Sequence, residues 1–216
     1  MCIRDSTYYF WVKAVGDGSD SDYTNRLTVL LIPGAPSNQA ITPNSSTQVT
    51  LSWTGGNGAS SYNYWFGTSA TYTSNTKTLG ETSTSVVKTS LSPNTWYYLR
   101  VESVNSTGTK ISSTTVNAYT NVGGPVDNIS VAGASSTSIT VTFTEATGGG
   151  VVVLKYATSY SGTYVTGVNN GGSGGSLTQT NLDSNQQYFF ILVNTGFNGS
   201  TTTVSYTHLR AHETPE

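Results

Sequence analysis

Apolar and polar residues alternate with a period of two along most of this chain. The clearest run starts at Trp96: Tyr97, Leu99 and Val101 fall on one side, and Tyr98, Arg100 and Glu102 on the other. That period is the signature of a half-buried strand. A bend precedes it in Leu91-Ser92-Pro93-Asn94-Thr95, where Pro and Asn supply the turn chemistry. The pattern recurs downstream as Leu182-Asp183-Ser184-Asn185-Gln186-Gln187-Tyr188-Phe189-Phe190-Ile191-Leu192, and the strand alone recurs upstream as Tyr8–Val15. The tyrosines that open the three strands, Tyr8, Tyr97 and Tyr188, lie 89 and 91 residues apart. Val49-Thr50-Leu51-Ser52-Trp53 and Ile139-Thr140-Val141-Thr142-Phe143 keep the same period: Trp53 and Phe143 are 90 residues apart, and Pro36 and Pro125 are 89 apart.

The repeat divides the chain. Residues 7–33 hold two strands, Tyr8–Val15 and Asn25–Ile32, around the loop Gly16–Asp22. An isolated hairpin is marginal in water, so this piece is expected to lean on the next repeat. Residues 34–121 hold one complete repeat. Its inward positions are Val49, Leu51 and Trp53, then Tyr62, Tyr64 and Phe66, a weaker strand at 84–87, and a last strand Ser112–Tyr119. Residues 122–203 repeat the scheme with Ile139, Val141 and Phe143; Val152, Leu154 and Tyr156; and Tyr188, Phe190 and Leu192, but are expected to lack the last strand. Short strands punctuated by Gly, Pro, Asn and Ser, with no helical period, predict antiparallel sheets packed face to face.

A Leu-x-Pro-x-Thr-x-Tyr corner before an alternating strand, with Trp53 about 40 residues earlier, resembles the fibronectin type III domain. The resemblance covers nearly all of residues 7–203. It implies an all-β fold of tandem immunoglobulin-like antiparallel β-sandwiches, one complete repeat flanked by two truncated ones. It places Trp53, Leu91, Tyr97, Leu99, Val101, Phe143, Leu182 and Tyr188 in structural cores. It also implies that the Tyr97 hydroxyl, at the corner closed by Leu91 and Tyr97, bonds back to nearby backbone. It says little about activity, because the fold serves spacers, adhesion surfaces and enzyme accessories alike.

The two ends read as foreign. Met1-Cys2-Ile3-Arg4-Asp5-Ser6 is what ATG TGT ATA AGA GAC AGN encodes, and Val204-Ser205-Tyr206-Thr207-His208-Leu209 is what GTC TCT TAT ACA CAT CTN encodes. The two strings are reverse complements and resemble the inverted ends of a transposon-type sequencing adaptor. Residues 1–6 and 204–216 are therefore set apart from the fold. What remains reads as an internal fragment of a longer bacterial reading frame. The alternating residues 204–209 are suited to filling the place of the missing last strand by accident.

Composition narrows the chemistry. The one Cys, the one Met and both His lie in those ends, so residues 7–203 lack the usual partners of nucleophilic catalysis and of zinc or copper sites. No catalytic, metal-binding or cofactor residue is assigned. Asp17, Asp20 and Asp22 cluster in one loop but lack the calcium-loop pattern and its closing Glu. Charged residues are only 9%, the formal net charge is −2 and the pI is near 5.6, which argues against nucleic acid as a partner. No apolar run is long enough to span a bilayer. The polar, cysteine-free style fits an extracellular or cell-surface protein.

One binding face is suggested. If Tyr97, Leu99 and Val101 point inward, then Trp96, Tyr98 and Arg100 point outward, and Trp65 does the same on the neighbouring strand. Such an aromatic strip suits sugar stacking or a protein partner. The plainer alternative is cross-strand packing that covers the sheet, with Arg100 stacked on Trp65. These residues read as a non-catalytic spacer or interaction fragment of a larger extracellular protein. The alternative is a carbohydrate- or protein-binding module, accessory to a polysaccharide-degrading enzyme. A polysaccharide or a cell-surface protein is the partner expected.

Overall fold

Most of the period-two alternation becomes strand. The structure, a computed structural model, describes residues 7–172 and 174–210; the foreign readings at 1–6 and 211–216 lie outside the described residues. A first hairpin pairs β1 (Thr7–Phe10) with β2 (Leu27–Leu30). Then come β3 (Ser37–Pro43), β4 (Val49–Thr54), β5 (Ser61–Gly67), β6 (Thr76–Glu81), β7 (Ser85–Lys88), β8 (Trp96–Asn105), β9 (Gly108–Ile111) and β10 (Val116–Tyr119). The last group is β11 (Asp127–Ala134), β12 (Ile139–Thr144), β13 (Val151–Ala157), β14 (Val165–Asn169), β15 (Ser176–Gln179), β16 (Gln187–Thr195) and β17 (Thr201–Arg210). A single 3-10 turn, Tyr72–Ser74, lies between β5 and β6.

The middle group makes two sheets, β3-β4-β7 and β10-β8-β5-β6, with β9 also on β8. The last group makes β11-β12-β15 and β14-β13-β16-β17. The strands run antiparallel to their neighbours in the hairpin, in the larger middle sheet from β6 to β9, and in both sheets of the last group. By contact density the chain forms two compact units. One takes the residues up to Ile41, Thr50–Val87 and Tyr97–Asn117; the other takes Thr42–Val49, Lys88–Trp96 and the residues from Ala118 on.

The inward positions of β4 and β12 are buried in the same alternating order. In the first unit Trp53 of β4 meets Tyr62 and Tyr64 of β5 with ring centroids 5.6 and 5.8 Å apart, so side chains from two sheets share one core. In the second unit Ile139, Val141, Phe143, Val152, Leu154, Leu177, Leu182, Tyr188, Phe190 and Leu192 form one buried cluster across both sheets. Backbone irregularities repeat as well. Asn38 and Asn128, Ser90 and Asn181, and Asn94 and Asn185 all have positive φ, each pair ninety or ninety-one residues apart. Asn38 and Asn128 make the same bond, from the amide to Thr54 Oγ1 and to Thr144 Oγ1 respectively.

Several sequence expectations are revised. Leu91 is half-buried, not part of the buried core: it sits in the loop ahead of β8, where its N–H donates to Thr47 O. Phe66 is half-buried and lies flat against Tyr97 at 5.2 Å. Ser112–Tyr119 is not one strand. β9 and β10 are separated at residues 112–115, where the Ser112 hydroxyl turns to Thr114 O and the Ser112 carbonyl accepts from Arg100. As the alternation of residues 204–209 implies, the place of the last strand is taken by β17, which pairs with β16 from Thr201 to Arg210. Alternation alone suffices for an edge strand, whatever the origin of those residues. In the last repeat Tyr188 Oη accepts from Asp183 N at 2.8 Å, a back-bond of the kind the resemblance implies for Tyr97.

The first hairpin is shorter than its alternation suggests. Past Phe10 the two arms keep only isolated backbone bonds, Thr24 N to Val12 O and Ser21 N to Ala14 O. Its far end is held within the first unit by Asn105 Nδ2, which donates to Leu31 O, and by Thr107 Oγ1, which donates to Leu30 O.

Candidate functional site

The outer face of β5 and β8 is built from one register. Trp65 stands opposite Arg100 on β8 and opposite Lys77 on β6. Both neighbours are cations, yet only one reaches the indole. Lys77 Nζ lies over the Trp65 ring at 4.3 Å, while the Arg100 guanidinium lies over Tyr72 at 4.4 Å. Tyr72, from the 3-10 turn, meets Trp65 edge-on at 5.2 Å and so sits between the two charges. Arg100 is fixed further by Nε and Nη2, which both donate to Ser112 O.

The polar side of the face closes the same way. Lys77 Nζ donates to Glu102 Oε2 at 3.1 Å, and Asn63 Nδ2 donates to the same oxygen at 2.8 Å. Asn63 in turn accepts from Gly80 N. Burial pushes the Glu102 carboxyl up, but hydrogen bonds from Asn63, Lys77 and Thr109 outweigh it and hold the pKa below the ordinary 4.5. A depressed carboxylate contributes stability that is present above its unfolded value and lost as pH falls through the folded one. Glu102→Gln is therefore expected to flatten the acid limb of a Tm-versus-pH curve below pH 4.5. Superimposable acid limbs for the two proteins would count against this network.

Of the four residues the sequence grouped as a face, the structure brings Trp65 and Arg100 together through Tyr72. Tyr98 is half-buried on the same side of β8, opposite Gly67. Trp96 also has ring contacts away from this face. In the second unit it meets Tyr119 at 4.0 Å, edge to face, and Tyr119 meets Phe197 at 5.4 Å. These three rings line a cleft of about 570 Å³ with Asn121, Asn198 and Ser200 at its rim, and no lining residue is charged. Phe197 is 62% exposed.

The loop carrying Phe197 is tightly tied. Gly196 N donates to Ser200 O, Gly199 N to Gly196 O, and Ser200 N to Asn198 Oδ1. Phe197 N donates to Asn94 Oδ1 at 2.9 Å. Asn198 Nδ2 reaches Tyr119 O and Asn121 Oδ1. Sequence reasoning missed Tyr72, Lys77, Tyr119 and Phe197. Only Phe197 left a signal, as a lone large apolar residue in the turn Gly196–Ser200. Among the described residues no group of three or more His, Cys, Asp or Glu is placed to hold a metal ion, and Asp20 of the acidic loop pairs with Lys13. No helix among them is long and apolar enough to cross a membrane.

The fibronectin type III domain model matches residues 34–119. Among solved structures, a two-domain fibronectin type III segment from chicken tenascin aligns over 80% of this chain and 99% of its own length, at 19% identity and a TM-score of 0.53. The FN1–FN3 domains of chicken CNTN1 align over 94% of this chain and 78% of theirs, at 20% identity and a TM-score of 0.38. The tenascin likeness is one of fold. No curated protein sequence matches the chain.

Proposed function

We propose that the chain is a non-catalytic spacer and interaction piece of a larger extracellular or cell-surface protein, a reading supported by the match of the fibronectin type III domain model to residues 34–119. The observation that carries this reading is the state of the β5–β8 face. Its indole is capped by Lys77 and edged by Tyr72, and both cations are engaged by the chain itself. Aromatic and cationic side chains used in this way seal a sheet; they do not wait for a ligand.

The test is Trp65→Ala in the full chain. A sealing role predicts a lower Tm, from loss of a half-buried ring that two neighbours pack against, and no change in any response to neutral polysaccharides followed by calorimetry. A polysaccharide response that disappears in Trp65→Ala while the Tm stays at its parent value would overturn the reading.

A second reading, a binding module, is favoured by a different place. The Trp96–Tyr119–Phe197 cleft is uncharged, aromatic and open, and its most prominent ring is exposed. Accessory service to a polysaccharide-degrading enzyme is the setting in which such a module would act.

A further inference from the structure

We infer that the cleft lined by Trp96, Tyr119 and Phe197 binds an uncharged oligosaccharide. The inference rests on the binding-module reading and gives it a site other than the β5–β8 face. All the lining residues fall in the second unit.

Three observations converge. First, the rings form a continuous stepped surface, with successive centroids 4.0 and 5.4 Å apart and interplanar angles of 69° and 46°. An exposed ring face is suited to the C–H face of a pyranose. Phe197 at 62% exposure is poorly explained as core packing. A large apolar side chain at the tip of a five-residue polar turn leaves its surface in water at a cost in free energy, and a ligand would recover that cost.

Second, the loop is organised before any ligand arrives. The backbone that carries the Phe197 ring is held in place, because its N–H donates to Asn94 Oδ1 and the turn around it closes on Gly196, Asn198 and Ser200. Fixing the backbone of a contact residue in advance removes part of the ordering cost of binding.

Third, the rim selects. Asn121 supplies an amide N–H and Ser200 a hydroxyl that accepts from Val122 N, the Asn198 amide is taken up within the chain, and no lining residue carries a charge. Among the described residues the Tyr119 hydroxyl has no hydrogen-bond partner, and the Asn121 side chain is engaged only through its oxygen, by Asn198. Free hydroxyl and amide N–H groups beside aromatic faces match sugar hydroxyls. With no cation in the lining, sulfated or acidic glycans are disfavoured, because their charge would be desolvated without a partner. The volume of about 570 Å³ is within the usual range of small-ligand sites, roughly 300–1,000 Å³. A proline-rich peptide is the competing occupant of an aromatic groove, and the experiment discriminates it.

The test is isothermal titration of the full chain with cellohexaose, mannohexaose, xylohexaose, laminarihexaose, heparin, polygalacturonate and decaproline. The expected result is saturable binding of at least one neutral hexasaccharide and of neither polyanion. Phe197→Ala should weaken that binding at least about tenfold, with the Tm within about 2 °C because the side chain is mostly exposed. Phe197→Tyr keeps an aromatic face and should bind within about threefold of the parent, as should Trp65→Ala, which leaves the cleft intact. The proposal is overturned if no neutral hexasaccharide binds up to about 10 mM, if only a polyanion or decaproline binds, or if binding is indifferent to Phe197→Ala. Binding lost in Trp65→Ala but kept in Phe197→Ala would overturn both this site and the sealed-face reading. Loss in Phe197→Ala alone leaves the sealed face standing.

Discussion

Trp53→Ala is expected to destabilise the middle repeat by about 3–5 kcal/mol, the usual cost of truncating a buried aromatic to a methyl group. Trp53 is 5% exposed, and its indole is wedged edge-on against Tyr62 and tilted against Tyr64. Those two tyrosines come from the other sheet, and large rings on a strand backbone cannot collapse far into the space an indole leaves. Lost transfer energy and a persistent cavity therefore add. Against a typical domain stability of about 5–15 kcal/mol the loss is severe.

One feature works the other way. Trp53 Nε1 is buried without a hydrogen-bond partner, so the parent already carries the penalty of an unmade bond, on the order of 1–3 kcal/mol. Trp53→Phe removes that donor while keeping most of the ring, and Phe143 fills the equivalent place in the next repeat with the same strand burial and the same backbone bond, Phe143 N to Gly175 O where Trp53 N meets Thr84 O. Trp53→Phe should therefore cost less than half of what Trp53→Ala costs. Urea unfolding followed by circular dichroism measures both. A loss below about 1 kcal/mol for Trp53→Ala would mean that the two sheets do not meet at this residue.

The legible part of this fold is the part where burial alternates. β4, β12 and the first parts of β8, β13 and β16 bury an apolar residue at every second position, while β8 and β16 go on with the buried polar residues Ser103, Asn105 and Asn194 in the same phase. β3 and β6 carry no such signal. Ser37–Pro43 and Thr76–Glu81 are mostly polar and lie at sheet edges, where one face and one side meet water, so pairing needs little apolar burial. The break between β9 and β10 is hidden for a related reason: Ser112, Ser113, Thr114 and Thr115 have strand-compatible composition, and only the demand of Arg100 for the Ser112 carbonyl shows why the ladder opens there. The candidate face is half legible. Period two puts Trp65 and Arg100 on the outer side, but it carries no information on which cation reaches which ring. That is decided by Tyr72, from a polar loop without period, which takes Arg100 and leaves Trp65 to Lys77. Trp96 shares the parity of Tyr98 yet serves another cleft, because its partners Tyr119 and Phe197 come from a strand end and a turn.

Asn94→Ala is the second substitution expected to have a large effect, about 2–4 kcal/mol in the second unit, and for reasons no core residue shares. Asn94 is 7% exposed and holds φ at 45°, in the left-handed region that Asn tolerates better than Ala. Both ends of its amide are used: Nδ2 donates to Gly148 O at 3.0 Å, and Oδ1 accepts from Phe197 N at 2.9 Å. Its own N–H donates to Asn121 O. Gly148 must come this close, since a Cβ there would stand 2.6 Å from Pro93 O. Alanine keeps the strain, deletes both side-chain bonds and leaves a donor and an acceptor unpaired. Glycine deletes the same bonds but relieves the backbone, so Asn94→Gly should cost clearly less than Asn94→Ala, and the difference isolates the strain. Asn185 supplies the control within the same chain. It has the same left-handed backbone at φ 57° but is exposed, with no side-chain bond among the described residues. Asn185→Ala should carry the strain alone, on the order of 1 kcal/mol. Chemical denaturation of the parent and the three variants gives the comparison. If Asn94→Ala and Asn185→Ala cost the same, the amide of Asn94 contributes nothing beyond its tolerance of a left-handed turn, and the loop that carries Phe197 is held by its own hydrogen bonds alone.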